Sequence, residues 1–421
     1  MNILQINTID KKGGAARIAY DLIKELEKKN HTVKMFVAHK FSKDKNVFLI
    51  KPENKLLNLI SNYSQKIFKK DISQFFKSKF YYLIANDVEI YQENTEQILN
   101  TEEFRQADIV HFHNLHGLYF NLETIIKISK LKLIVWTLHD MWSITGHCAH
   151  SLDCEKWQTV CNKCDYLNIY QKIFWDNSKY LWQKKKEIYN KCDNLNIITP
   201  SLWLKNKLEK SILKDHNINL IHNGIDVGKF KKYNKKETRQ ELNLPFNKMI
   251  ILTLADGGHE NNWKGWQYTE KLIKYFKSNK DILFLNIGSN EEKEEGNIRF
   301  IKYVKDKNIL AKYYSASDIF LFSSIAENSP LVILEAMSCG LPIVSFDVGG
   351  VKGVLEHKKN GYIAKYKNSD DLIRGIKYIL NLSKEEIKKI ENLNNFKIKN
   401  NFSLDIMTEK YLEFYNRILQ K

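Results

Sequence analysis

Along the chain, short apolar runs alternate with stretches whose apolar residues recur every three or four positions. MNILQIN comes first, an amphipathic stretch from about Ala15 to Lys29 follows, and then come TVKMFVA, ADIVHFHN, LKLIVWTLHD and LNIITPS. Apolar runs of that length read as strands, and the periodic stretches between them as helices. Such alternation builds βαβ units, which call for a parallel sheet with helices packed on it. After IHNGID it starts again with KMIILTLAD, DILFLNIG, NIRFIKYV, ASDIFLFSS and LPIVSFD. The pattern predicts an α/β chain of two doubly wound, Rossmann-like halves, without a sequence repeat linking them.

The turn dipeptide Asn223-Gly224 between these series marks a boundary and a hinge. A first domain is expected over residues 1–222 and a second over 223–402. No second-domain strand follows the last helix, so residues 403–421 are expected to pack back on the first domain. With 421 residues, two cores are in any case more natural than one.

Composition sharpens the picture only in places. No apolar run reaches about 18 residues, and MNILQINTIDKKGG reads as a strand and a glycine turn instead of a signal peptide, so a cytoplasmic location is expected. Lys and Arg number 66 against 49 Asp and Glu, a net charge of +17. The resulting field attracts nucleotide phosphates or an anionic membrane surface, although lysines on every solvated face give the same total. None of the usual nucleic-acid recognition motifs is present, and nucleic acid is not an expected partner. Lys66, Lys69, Lys70, Lys77 and Lys79 are interleaved with Phe68, Phe75, Phe76, Phe80, Tyr81 and Tyr82. That pattern suits a helix lying on a membrane or gripping an amphiphilic acceptor, and equally one that buries its aromatics.

The segment richest in chemistry is FSSIAENSPLVILEAMSCGLPIVSFDVGG, Phe322 to Gly350. Ser329 suits an N-cap, Pro330 the first helical position and Gly340 the residue past the end, so a helix is expected from about Pro330 to Cys339. Its free amides at Leu331 and Val332 would aim the positive end of the helix at the crevice where doubly wound sheets bind ligands, a place for phosphate. Glu327 precedes the helix and Glu335 lies inside it. Their separation rules out a close carboxylate dyad, so they are expected to serve different parts of one ligand.

This pair of glutamates, followed by Ala336-Met337-Ser338-Cys339-Gly340 and Pro342, resembles the signature of glycosyltransferase family 4. The resemblance implies the GT-B architecture, two Rossmann-like domains facing a central cleft, and retaining transfer of a sugar from a nucleotide diphosphate sugar to a glycan or lipid-linked acceptor. It implies that Glu327 approaches the donor sugar, that Glu335 holds the ribose hydroxyls, and that Ser329, Leu331 and Val332 line the diphosphate. Other segments agree in order. Gly13 and Gly14 open the first helix with Arg17 behind them, Gly14 toward the donor and Gly13 and Arg17 on the acceptor side. His139, beside Asp140 at the end of LKLIVWTLHD, resembles the family's histidine next to the transferred sugar, and His113 of HFHN is an acceptor-side candidate on the same strand face as His111. Lys264 resembles the Lys-Gly element whose cation meets the leaving diphosphate. Where the family usually has Gly-Arg-Leu before that lysine, this chain has Ala255-Asp256-Gly257-Gly258-His259, so either His259 or another cation substitutes or fewer charges hold the phosphates.

Cys148, Cys154, Cys161 and Cys164 lie close together, with His147 and His150 among them. In a cytosolic setting such clustering favours a structural zinc or free thiols over disulfides. The segment also resembles a subgroup of the family associated with surface and exopolysaccharide assembly. The chain lacks an Asp-x-Asp motif, and no divalent metal is expected in catalysis. The functional expectation is a transferase of bacterial surface polysaccharide assembly, peripheral at the inner face of the cytoplasmic membrane. Its alternatives are a sucrose-synthase-like enzyme, phosphorylase or epimerase of the same fold, or a non-catalytic nucleotide-sugar-binding protein.

Overall fold

The structure, a computed structural model, describes residues 1–50, 93–117, 119–254 and 262–420. The basic aromatic stretch from Lys66 to Tyr82 and the departure at Ala255 to His259 lie outside the described residues. The chain divides into two compact units, Met1–Ile221 together with Lys410–Lys421, and His222–Glu409.

The first unit is built on a seven-stranded, wholly parallel sheet in the order β3-β2-β1-β4-β5-β6-β7. Its strands are β1 (Asn2–Ile9), β2 (Thr32–His39), β3 (Val47–Leu49), β4 (Ile109–Phe112), β5 (Leu133–Thr137), β6 (Leu195–Thr199) and β7 (Asn217–Leu220). One face packs Leu4, Ile6, Val110, Phe112, Ile134, Trp136 and Ile197 into a large apolar core. The other carries polar side chains: Gln5 is in register with His111, and both are fully buried. Helix α1 (Gly14–Lys28) begins after Gly13, whose φ of 84° an L side chain rarely adopts, and buries Ile18, Leu22 and Leu26 on one stripe.

The second unit holds a sheet in the order β10-β11-β9-β8-β12-β13-β14, parallel except for the β10–β11 pair. The strands are β8 (Met249–Leu254), β9 (Ile282–Ser289), β10 (Lys293–Glu295), β11 (Ile298–Lys302), β12 (Ile319–Phe322), β13 (Ile343–Phe346) and β14 (Gly361–Ala364). In each sheet the strand order reverses beside the first strand of the series, at β1/β4 and at β8/β12. In doubly wound sheets, ligand-binding crevices open at such switch points, at the carboxyl ends of the strands.

The helix Leu404–Leu419 belongs to both units, which divide within it after Glu409. Its beginning stays with the second unit because Ser403 bridges Ile225, and a side chain at Gly224 would fall 2.5 Å from the Ser403 carbonyl oxygen. Its remainder buries Tyr411, Phe414, Tyr415 and Ile418 in the first unit. Their i, i+3, i+4, i+7 spacing makes one apolar stripe, and burying each such side chain contributes about 1.5–3 kcal/mol.

Candidate active site

In the second unit the site grows from the end of β12. The helix there spans Leu331–Ser338, with Pro330 at the cap and no side-chain cap bond. This corrects the expected start: Ser329 is not the N-cap, because Pro330 keeps an extended ψ of 110° and the helix begins one residue later. The amides of Leu331 and Val332 find no acceptor among the described residues, whereas that of Ile333 already bonds back to the Pro330 carbonyl. Two donors are left at the positive end of the helix dipole.

In the loop that leads into this helix, Glu327 Oε1 accepts from Lys264 Nζ at 2.7 Å. The pair is held by backbone at both ends. The Lys264 carbonyl accepts from Ser323 Oγ at 2.9 Å, and Ser323 in turn lies 2.8 Å from Thr269 Oγ1. Gly265, at φ 65°, brings the chain so close that a Cβ would stand 2.0 Å from the Ser323 carbonyl oxygen. Gly349 does the same for the glutamate loop, where a Cβ would stand 1.9 Å from the Glu327 carbonyl oxygen. Only glycine permits either approach. Glu335 is 1% exposed, and the Tyr314 hydroxyl donates to its Oε2 at 3.0 Å, fixing the direction of the carboxylate from within the helix layer.

In the first unit, residues at the carboxyl ends of β4 and β5 form a histidine-rich network. His111 and His113 share a face as the period of two requires, with ring centroids 4.2 Å apart. His113 Nδ1 lies 3.0 Å from His139 Nε2. His111 is held from both sides, its Nε2 2.8 Å from Thr137 Oγ1 and its Nδ1 2.7 Å from the Tyr415 hydroxyl, while Thr137 also meets the Tyr411 hydroxyl at 2.9 Å. Burial pulls His111 down to about 3 and His139 down to about 4, and holds His113 well below the ordinary value. All three rings are therefore neutral at pH 7, so one hydrogen is shared between His113 and His139. His113 Nε2 is buried without a hydrogen-bond partner. An orphaned acceptor costs less than an orphaned N–H, which assigns the proton to His113 Nδ1 and makes His139 Nε2 the acceptor.

Asp140 is tied differently. Gln171 Nε2 donates to His116 Nδ1 at 2.6 Å, so the remaining proton of His116 points from Nε2 to Asp140 Oδ2 at 2.9 Å. Burial would raise the Asp140 carboxyl, but the His116 bond and the Trp142 amide outweigh it and hold it below the usual carboxylate range. Gly13 and Gly14 stand at the end of β1, with open space where a Gly13 side chain would be. Arg17 is turned along its helix, its Nε 3.5 Å from Asp21.

The structure thus brings Lys264, Glu327, Leu331 and Val332 together in one unit and His113 and His139 in the other. His116, Gln171, Tyr411 and Tyr415 are partners that sequence reasoning missed. Only His116, three residues beyond His113, carried any local signal.

Comparison with known proteins now decides the family. The model described as Glycosyltransferase Family 4 matches residues 12–229, and that described as Glycosyl transferases group 1 matches residues 234–396. The chain belongs to glycosyltransferase family 4. Over 99% of its length and 100% of the relative's it is 26% identical to the putative colanic acid biosynthesis glycosyl transferase WcaC of Escherichia coli. It is 26% identical over 49% of its length to an N-acetylgalactosaminyltransferase of Campylobacter jejuni named for a diphospho-undecaprenol acceptor, matching 56% of that protein. Among solved structures, HepE of Anabaena in complex with UDP and glucose matches with a TM-score of 0.66 at 16% identity, covering 99% of both chains. That likeness establishes the GT-B fold of this family 4 glycosyltransferase.

Proposed function

We propose that this glycosyltransferase moves a sugar, with retention of configuration, from a nucleoside diphosphate to a lipid-linked saccharide of bacterial surface polysaccharide assembly. The observation that carries the reading is the Lys264–Glu327 pair at 2.7 Å in the loop before the helix, together with the two unengaged helix amides. A cation and two N–H donors at a helix start suit a departing diphosphate and need no divalent metal to neutralise it. Glu327, salt-bridged to Lys264, would orient the donor sugar, and Glu335 the ribose. Neutral His139 would meet the transferred sugar. Gly13 and Arg17 lie on the unit read as taking the acceptor.

The names of the relatives support the acceptor class: one concerns colanic acid and another a diphospho-undecaprenol-linked sugar. No helix among the described residues is long and apolar enough to cross a membrane. We read the enzyme as reaching its acceptor from the cytoplasmic face through its net charge of +17, each Lys near an anionic leaflet contributing about 1 kcal/mol.

The direct test is a screen of donor hydrolysis over uridine, guanosine and adenosine diphosphate sugars, with and without undecaprenyl-linked acceptors. Turnover that rises with the lipid-linked acceptor and survives EDTA is expected. Sugar release to inorganic phosphate, or epimerisation without an acceptor, would instead place the chain with phosphorylases or epimerases. Cosedimentation with anionic and neutral vesicles, with Lys66, Lys69, Lys70, Lys77 and Lys79 intact or changed to Glu, tests the membrane reading. Equal binding of both proteins would refute it.

A further inference from the structure

Between Thr137 and Ser178 the chain runs for roughly 40 residues with only two short 3-10 turns, Trp142–Ile144 and Lys156–Gln158. Connections so long without a helix or strand are uncommon inside a compact unit. This one is nevertheless built inward: Trp142, Ile144, Trp157 and Cys161 belong to the apolar core. Trp157 is 2% exposed, and its Nε1 donates to the Cys154 carbonyl at 3.0 Å. The same segment sets Cys148, Cys154, Cys161, Cys164 and His147 around one small cavity.

Two of the sulfurs accept backbone hydrogen bonds. The Gly146 amide donates to Cys161 Sγ at 3.2 Å and the Tyr166 amide to Cys164 Sγ at 3.4 Å. His147 Nδ1 lies 2.6 Å from the Gln171 carbonyl and so carries the ring proton, which leaves Nε2 to accept from the Cys164 thiol, 3.3 Å away. The Lys185 ammonium, 2% exposed, donates to the Trp142 carbonyl at 2.6 Å and to those of Thr145 and Gly146 at 3.1 and 3.3 Å, and its charge reaches Cys161. Amide N–H groups and a buried cation beside sulfur are what a metal-bound thiolate cluster needs around it.

We propose that Cys148, Cys154, Cys161 and Cys164 bind one zinc ion as a tetrathiolate staple of this segment. Binding forms four Zn–S bonds and releases the four thiol protons to the buffer. Among the described residues no metal-holding group of three or more such side chains is already gathered, so loading would have to draw the thiols together. Zn–S bonds of about 2.3 Å would then close the site. The staple would also fix Gln171, whose backbone holds His147 and whose side chain holds His116 against Asp140.

The test is metal analysis of the chain purified under reducing conditions without chelator or metal-affinity resin. About one zinc per chain is expected, with the four cluster thiols shielded until a mercurial releases the metal. Cys161→Ser and Cys164→Ser should each lose the zinc. Cys192→Ser and Cys339→Ser, which alter buried thiols outside the segment, should keep it. Because the first two variants can fail by misfolding, the wild-type chain is also stripped and reloaded with Co²⁺, and the visible bands of a tetrahedral cobalt thiolate should appear. Well under one zinc per chain after reloading, with the four thiols titrating freely, or a disulfide between any two of them in the purified protein, would overturn the proposal.

Discussion

Changing Lys264 to Met should damage nucleotide binding in a way that depends on Glu327. In the native chain the two side chains sit at 28% and 15% exposure with 2.7 Å between charges. At that spacing and an effective dielectric near 20, the gross attraction is about 6 kcal/mol, most of it cancelled by desolvation. Removing the ammonium has two costs for a bound diphosphate. It loses one charge-assisted hydrogen bond, about 1.5–3 kcal/mol, which is roughly a 10- to 150-fold weaker Kd. It also leaves the Glu327 carboxylate without its countercharge beside the phosphates. Lys264→Met combined with Glu327→Gln removes that repulsion, so the double variant should bind the diphosphate more tightly than the single one. Calorimetry with the tightest binder among UDP, GDP and ADP, and with the matching nucleoside, reads this directly. The nucleoside should bind all three proteins alike. If Lys264→Met binds the diphosphate as the native chain does, or if the double variant is no better than the single, the lysine does not face the phosphates.

Further predictions concern the other groups. Glu335→Ala should weaken nucleoside diphosphate binding by about 1.5–3 kcal/mol per lost ribose hydrogen bond, measured against an unchanged far-UV spectrum; an unchanged Kd removes Glu335 from the site. Tyr415→Phe should strip His111 Nδ1 of its partner and lower stability by about 1–3 kcal/mol, read as an earlier urea midpoint. The depressed histidines set a pH dependence: the unfolded chain takes up protons below about 6.5, while folded His111 and His139 stay neutral until about 3 and about 4. Their contribution is thus complete above pH 6.5 and lost as pH falls, about 1.4 kcal/mol for each ring at pH 5.5. A urea midpoint that does not move between pH 7.5 and 5.5 would contradict the burial of these rings.

The central strands of both sheets were legible because they are buried on both faces and read as apolar runs, whereas the short strands Val47–Leu49 and Gly361–Ala364 were not picked out. Nor was Lys293–Glu295, for it has no apolar residue and is held only by backbone pairing with Ile298–Lys302 at the sheet edge. Lys264, Glu327 and Glu335 could be picked out because local motifs carry them. Their settings could not: the tyrosine that holds Glu335 comes from another helix, and the Tyr415 bond to His111 joins positions 304 residues apart. Ser329 misled because Ser before Pro fits an N-cap locally, whereas the chain's path out of β12 puts Pro330 there. Gln171 lies in a segment without periodicity, where no pattern could have tied it to His116.

The helix that passes from one unit to the other constrains the order of assembly during synthesis. Residues 1–221 leave the ribosome long before Tyr411 and Tyr415, yet His111 and Thr137 find their partners on those late residues. Until then, the surface of the first unit that the stripe of Tyr411, Phe414, Tyr415 and Ile418 covers stays open, and partly formed units with exposed apolar surface are where chaperones bind. The intervening unit, by contrast, needs only its own contiguous residues. The domain translated second is therefore expected to reach its native state first, and a fragment ending at Ile221 should remain a client for chaperones.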